Sequence, residues 1–546
     1  FYSAPDFLFL QLRMNFTSTR IPYRQTGKFS RIVVDYIDQA DALKPFYGEA
    51  PSLQGLAKAI EERKRFAGHR EILVQELRNQ YAGVEPHPAV SNNIESLLSD
   101  NTFTVTTAHQ NNIFTGPLYF IYKIIHAIRL ADMLKNSFPD YRFVPVYYIG
   151  SEDADLDELN HIVLGGKKLS WHTKQKGAVG RMILDKQVTA LVNEMEGQLG
   201  TLTYGKEIIS LLRETYKEGR TLQEATFRFV NKLFAESGLL ILLPDNAALK
   251  RTMIPVFREE LLRQPAANIV EQTAASLEKA GYTVQASARE INLFYLKDDI
   301  RNRIELKNNE YRVVETDLRF SRDEMMQELE TYPERFSPNV ILRGLYEETI
   351  LPNIAFIGGG GELAYWLQLK ELFVHAAVPF PVLVLRNSFL LLEKKWQEAI
   401  HKTGFTTEDY FQPGETLLNR LVEKESPNRT SLNGSLSELE NLYASFKKQA
   451  GAIDISLEKH VEALKTKTVF RLKELEKKML RAEKRKFSDQ QRQIQAVKSA
   501  LFPGNGLQER TENISYYYAR WGKDFLRQLY SESLTLEQEF VILQEH

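Results

Sequence analysis

A chain of 546 residues without a single cysteine excludes disulfides, thiol nucleophiles and cysteine-ligated metals. Its length calls for more than one domain, or for one domain carrying large insertions. Acidic and basic residues nearly cancel, 71 against 70, so no global field favours nucleic acid or a membrane surface. The lack of cysteine fits an intracellular enzyme of the cytoplasm, and no apolar run nears the roughly 20 residues that cross a bilayer.

The segment FYSAPDFLFLQLR precedes Met14. Its apolar stretch is short and has no basic leader, so it does not read as a secretory signal; Met14 is one candidate for the natural start. Helical text follows over residues 32–47, 53–66 and 72–81. FTVTT, from Phe103, then reads as a short strand. The polar loop AHQNNIFTG leads into PLYFIYKIIHAIRLADML, a helix apolar on nearly every face and so buried between layers. Pro117 suits its first turn, where a missing N–H costs nothing. FVPVYYIG is a second buried strand, ending in the acidic cluster SEDADLDELN. This is a strand–helix–strand unit with polar groups at both strand ends. In a parallel α/β sheet ligands collect there, which brings Thr107, His109, Gln110, Asn112 and Thr115 beside Glu152, Asp153 and Asp155.

Further on, KLSWHT and RMIL read as strand-like pieces, residues 207–237 as helix, LLILLPD as a buried strand and residues 261–280 as helix again. NLFYL and RIELKNNEYRVVET predict antiparallel strands, the second pair joined at Asn308 and Asn309. Asn353–Ile357 is a strand, Gly358–Gly361 a four-glycine turn, and Glu362 opens an amphipathic helix. Outward-facing N–H groups at such a turn suit an anion, or the glycines serve a tight turn alone; neither a P-loop nor GxGxxG is present. PFPVLVLR supplies the last strand of the main sheet.

Beyond Arg386 the text becomes heptad-like. Leu436, Leu439, Tyr443, Phe446 and Ala450 repeat three and four apart, as do Leu457, Val461 and Leu464, then Leu472, Leu475, Met479 and Ala482, with a phase slip near Thr468. Breaks near Asn433–Gly434 and Gly451–Asp454 predict an antiparallel helical hairpin. The basic excess over residues 465–486 reads as a solvated face in preference to an RNA or nucleotide contact. After Pro503 the chain turns aromatic and returns to the main body. The expected domains are a catalytic core over 14–386, with connecting subdomains at about 165–335, a helical domain over 387–502 and a returning segment over 503–546. With no cysteines, His161 and His172 lack a zinc constellation, and no metal site is expected.

Four segments, TAHQNNIFTGPLYFIYKI, VPVYYIGSEDADLDELNHI, SPNVILRGLYEETILPNIAFIGGGGELAYWLQLK and LFPGNGLQERTEN, together resemble the cysteine-adding enzymes of bacillithiol biosynthesis. The resemblance spans nearly the whole chain from about Arg20. It implies an α/β fold, a Rossmann-like parallel-sheet core with inserted connecting segments plus an α-helical coiled-coil domain, and a homodimer. The implied reaction joins the carboxyl of cysteine to the amino group of glucosaminyl-malate. The core is also similar to class I aminoacyl-tRNA synthetases. Three positions depart from the family pattern: Ala108 replaces a glycine, Ala154 a histidine and Gly344 a proline.

Joining a carboxylate to an amine in water needs activation, with ATP as the expected source. The loop Thr107–Gly116, with Gln110, Asn112 and Thr115, and the turn at Gly359 and Gly360 are the expected phosphate holders. His109 would stabilise developing charge, or be a loop histidine bonded to backbone. Glu152, Asp153 and Asp155 would hold Mg²⁺ or the cysteine ammonium, or deprotonate the amine; equally, they would cap the helix at Leu156. Asn339 and Arg343 are candidates for the malate carboxylates, with Glu362 and Tyr365 facing the same cleft. Two other classes stay open: a synthetase-like nucleotidyl transferase acting on another amino acid or RNA, and a non-catalytic coiled-coil scaffold.

Overall fold

The computed structural model describes residues 16–427 and 431–546. The N-terminal segment containing Met14 lies outside the described residues. The chain divides into two compact units: one holds the residues up to Leu390 together with Gln508–His546, the other Leu391–Leu507.

In the first unit, the alternation in TFTVTT sets the pattern. Successive strand residues face opposite sides, so Phe103 and Val105 enter an apolar core while Thr104 and Thr106 face a polar one. The apolar side includes Leu56, Ile60, Leu130, Leu134, Phe143, Ile357 and Val384, all buried. On the polar side the hydroxyls of Thr104 and Thr106 donate to Asn353 Oδ1, at 3.2 and 2.9 Å. Asn353 Nδ2 donates in turn to Glu348, which Arg63 pairs at 2.5 Å. Within this buried polar row only Arg63 Nε lacks a partner among the described residues, so the demand of burial is nearly met.

Five parallel strands form the sheet: β1 (Thr102–Gln110), β2 (Arg142–Gly150), β3 (Leu240–Leu242), β4 (Asn353–Gly358) and β5 (Val382–Leu385). Their order is β5-β4-β1-β2-β3, and β1 pairs with both β4 and β2 in parallel. The order reverses between β1 and β4, the place where an open α/β sheet leaves a crevice at its carboxyl edge. The helix after β1, α1 (Tyr119–Ser137), is buried along most of its length, as its all-round apolar text predicts. Two further helices flank the crevice, α2 (Val340–Ile350) and α3 (Gly360–Trp366).

The segment between β3 and β4 carries a separate antiparallel sheet from Leu293 to Pro338. Its central hairpin turns at Asn308 and Asn309, both with positive φ, as two-residue hairpin turns require. RMIL is not a strand: Val179–Arg181 is a 3₁₀ turn, and only a single bridge joins Ile183 to Thr221. The helix expected over 261–280 is two helices, Ile254–Arg263 and Pro265–Lys279, because Pro265 has no N–H to continue the first. The end of the chain, Glu539–Glu545, pairs antiparallel with Phe16–Pro22.

The second unit is helical. Its long elements, α4 (Asn433–Ile453) and α5 (Leu457–Lys484), form the expected antiparallel hairpin, with Tyr443 bonded to Thr468 and the Leu432 N–H to Glu476. No side chain of α4 is fully buried.

Candidate active site

At the sheet's switch point lies a cavity of about 280 Å³. β1 delivers Ala108, His109 and Gln110 to it. The turn after β4 delivers Gly359–Gly361, and α3 adds Glu362 and Tyr365. α1 contributes Tyr119 and Lys123, α2 contributes Arg343, and β2 contributes Tyr148 and Gly150. Arg386, just past β5, and Arg510, from the returning segment, complete the lining.

Seven residues singled out in the sequence thus meet around one space: His109, Gln110, Arg343, Gly359, Gly360, Glu362 and Tyr365. The others lie around it. Thr107 points away, its hydroxyl donating to the Ile357 carbonyl at 2.8 Å. Asn112, Thr115 and Gly116 belong to a buried loop behind His109. There Phe114 and Thr115 both adopt positive φ, and Asn513 Nδ2 fixes the carbonyls of Phe114 and Gly116 at 2.9 and 2.6 Å. A side chain at Gly116 would strike Asn112, and its φ is +64°, so only glycine closes this loop. The loop keeps an unusual set of buried polar atoms without hydrogen-bond partners among the described residues: His109 Nε2, both ends of the Asn111 amide, Asn112 Oδ1 and Thr115 Oγ1.

The acidic trio separates into three tasks. Glu152 accepts from Ser337 at 2.8 Å and pairs with the buried Lys250. Asp153 pairs with Arg343 at 3.0 Å, with Arg301 further off at 3.9 Å. Asp155 caps the short helix Leu156–Leu159 through the Glu158 N–H, the capping role foreseen as its alternative. Asn339 caps α2 by accepting from the Ile341 N–H, and its amide donates to Asn292. No group of three His, Asp or Glu side chains among the described residues is arranged to hold a metal ion.

The electrostatics follow from this packing. Burial, reinforced by Lys123, Arg386 and Arg343, pushes His109 well below its usual range, and the Asn112 amide offsets this only in part; the ring is neutral at pH 7. Burial alone would raise Asp153, but Arg343 and Arg301 hold it below the ordinary carboxylate range. Arg343 stays fully charged: burial opposes its charge, while Asp153 and Tyr365 more than compensate. Lys123 is almost wholly enclosed; burial lowers it and Glu362 counters. Its Nζ donates to the Ala108 carbonyl at 2.7 Å and pairs with Glu362. Glu362 also accepts from the Gly359 N–H at 2.7 Å, so part of the glycine turn is self-satisfied.

The departures at Ala108 and Gly344 find physical accounts. Ala108 lies within β1, among the residues without positive φ, so its methyl carries no backbone strain. Gly344 faces Trp366, where an added Cβ would lie 2.9 Å from the indole. Nothing in the structure explains Ala154.

Sequence reasoning passed over Lys123, Tyr119, Arg386 and Arg510. Lys123 carried a signal, as one of few cations on a helix apolar all round. Arg386 stood at a strand end, where the same rule that selected His109 applies. Arg510 had none.

A parallel sheet in this order, with a cation-lined cavity at its switch point, defines a Rossmann-type α/β protein suited to a small anionic ligand. The comparisons make the assignment specific. The family model described as bacillithiol biosynthesis BshC, N-terminal Rossmann-like domain, matches residues 14–387, and that for the BshC C-terminal coiled-coil domain matches residues 389–545. The chain belongs to the BshC family of bacillithiol biosynthesis. A relative from Flavobacterium johnsoniae, named "Putative cysteine ligase BshC", is 39% identical over 96% of this chain and 99% of its own length. Relatives of the same name from Flavobacterium psychrophilum and Cytophaga hutchinsonii are 38% and 37% identical, over 96% and 91% of this chain and 98% and 94% of theirs.

Proposed function

We propose that this chain joins the carboxyl group of cysteine to the amino group of glucosaminyl-malate, using ATP, as a cytoplasmic step of bacillithiol synthesis. The relatives' name supports cysteine as one reactant. The observation that carries the rest is the convergence of Lys123, Arg343, Arg386 and Arg510 on a cavity with one lining carboxylate, Glu362. Malate brings two carboxylates, and arginine's planar fork matches that geometry.

ATP would supply the free energy that amide formation in water requires. The residues fit such a group: the cavity is cationic, and the loop behind His109 holds buried polar atoms with unmet hydrogen-bonding capacity. Mg²⁺ would accompany the nucleotide, since Glu152, Asp153 and Asp155 are each engaged elsewhere. His109, neutral and facing the cavity, offers a hydrogen bond to an oxygen acquiring charge without adding a proton of its own. Asp153 keeps Arg343 charged and aimed inward, a positioning task in place of a general base. The helical unit pairs two copies of the chain through the apolar side chains its hairpin leaves exposed, among them Phe446, Phe470 and Leu475.

The test supplies the full chain with cysteine, glucosaminyl-malate and ATP and follows the amide product by mass and the nucleotide by chromatography. The expected result is bacillithiol formed in step with AMP or ADP, the identity of which separates the two modes of activation. Amide without nucleotide consumption would contradict the ATP requirement, and no amide with all three present would contradict the reaction.

A further inference from the structure

The surroundings of Arg386 exceed what a packed arginine needs. The side chain is 2% exposed, yet it lines the cavity. Burying a guanidinium is costly unless its charge is met. Glu509, fully buried, meets it: Oε1 accepts from Arg386 at 2.7 Å. Glu509 is itself fixed from two more sides, by the Ser388 hydroxyl at 3.1 Å and the Phe389 N–H at 3.2 Å. Arg386 also donates to the Asn387 carbonyl and Ser388 Oγ at 2.9 and 3.0 Å, and Tyr119 lies 5.0 Å across its face. One donor remains. Arg386 Nε is buried, has no hydrogen-bond partner among the described residues, and lies 3.6 Å from the position a Gly359 Cβ would take. Nη1 and Nη2 are both bonded to groups that hold the guanidinium in place. The residue after Glu509, Arg510, is exposed, lines the same cavity and makes no ion pair among the described residues.

We infer that the returning segment completes an anion seat in the active site: Glu509 is a positioning residue that holds Arg386 toward the glycine turn, and Arg510 is a direct contact for the outer charge of a dianion. The ligand class is a compact dicarboxylate or a phosphate. Under the proposed reaction this seat receives the malate arm, so the inference rests on that reading for the identity of the substrate but not for the existence of the seat. A carboxylate placed behind a cation for bulk electrostatics would weaken anion binding, and its removal would strengthen it. A carboxylate that positions the cation has the opposite effect. Glu509→Gln therefore distinguishes the two by sign.

The experiment titrates L-malate and inorganic phosphate, separately, into the full chain by calorimetry, for the wild type, Glu509→Gln, Arg510→Gln and Arg510→Lys. Thermal unfolding of each variant checks the fold. The expected result is binding of at least one probe to the wild type, weakened tenfold or more by Glu509→Gln and by Arg510→Gln, with partial recovery in Arg510→Lys. Arg510 is exposed, so its variants keep the inference testable if Glu509→Gln fails to fold. Unchanged or tighter binding in Glu509→Gln, or unchanged binding in Arg510→Gln, would overturn it, as would a wild type that binds neither probe. Kinetics separate this from the reaction itself: with glucosaminyl-malate and cysteine as substrates, KM for glucosaminyl-malate should rise in both neutral variants while KM for cysteine stays within twofold. A wild type that binds the probes but forms no amide would refute the reaction and leave the seat standing. A wild type that forms amide with KM for glucosaminyl-malate unmoved in both variants would retain the reaction and refute the seat.

Discussion

Asp153 illustrates how burial reassigns a residue. In the sequence it is one of three carboxylates, any of which could take a proton; in the structure it is clamped by Arg343 and Arg301 and held ionised. An acid already ionised far below neutrality is a poor base near pH 7. Asp153→Asn should therefore lower kcat/KM through a loosened Arg343 while leaving the acidic limb of the pH–rate profile in place; disappearance of that limb would show Asp153 to be the titrating base. Arg343→Gln should also cost stability, about 1–3 kcal/mol, because it leaves the half-buried Asp153 carboxylate with only the more distant Arg301 as its partner, and urea unfolding measures this directly. His126 offers a pH test away from the cavity. Its Nδ1 accepts from the Asn387 N–H at 3.1 Å and its Nε2 meets the Thr535 carbonyl at 2.8 Å, an arrangement only the neutral ring satisfies. Burial lowers it to about 4. A histidine depressed in the fold binds its proton more readily when unfolded, so stability falls as pH drops below about 6.5 and the loss is complete near 4. The full effect is about 3 kcal/mol. Subtracting the unfolding free energy of His126→Gln from that of the wild type across this window should expose the slope; parallel curves would show that His126 does not titrate on unfolding.

At the scale of elements, α2 and α3 meet where Gly344 admits the Trp366 indole, which stacks on Phe356 at 4.5 Å. Gly344→Ala would gain helix propensity but place a methyl 2.9 Å from the ring. Overpacking should win by about 1–3 kcal/mol, seen as a lower urea midpoint; a stabilised variant would show that the indole moves freely. The same elements show what was legible beforehand. TVTT, the all-round apolar helix and the GGGG turn announce strand, helix and crevice through local periodicity, and His109, Gln110, Glu362 and Arg343 stood in or beside those segments. The ion pair of Arg386 with Glu509 spans 123 positions, and the Asn513 clamp on the loop at Phe114 spans 399. No local pattern encodes such pairings. The capping roles of Asp155 and Asn339 were visible in principle, since both precede short helical runs, but an acidic cluster at a strand end reads equally well as chemistry.

For the whole molecule, the hairpin of α4 and α5 poses a separate problem. Two helices alone cover one stripe each, and Phe470 remains 58% and Leu475 47% exposed. Such apolar positions on a long hairpin call for a partner, and a second copy would supply one with matching heptads. The chain is expected to run as a dimer in light scattering, and Phe470→Glu together with Leu475→Glu to shift it toward monomer; a wild-type monomer at micromolar concentration would contradict the pairing. No described helix is long and apolar enough to cross a membrane.

Everything proposed for this chain depends on chemistry taking place in the cavity between the ends of β1 and β4. The most direct measurement is the turnover of cysteine, glucosaminyl-malate and ATP by the wild type, His109→Ala and Arg343→Lys, with folding verified by thermal unfolding. The expected outcome is a loss of about 10²–10³-fold in kcat for His109→Ala, the scale of one removed transition-state donor, and a raised KM for glucosaminyl-malate in Arg343→Lys, which keeps the charge but loses the fork. Full turnover by both folded variants would contradict it and move the active site elsewhere.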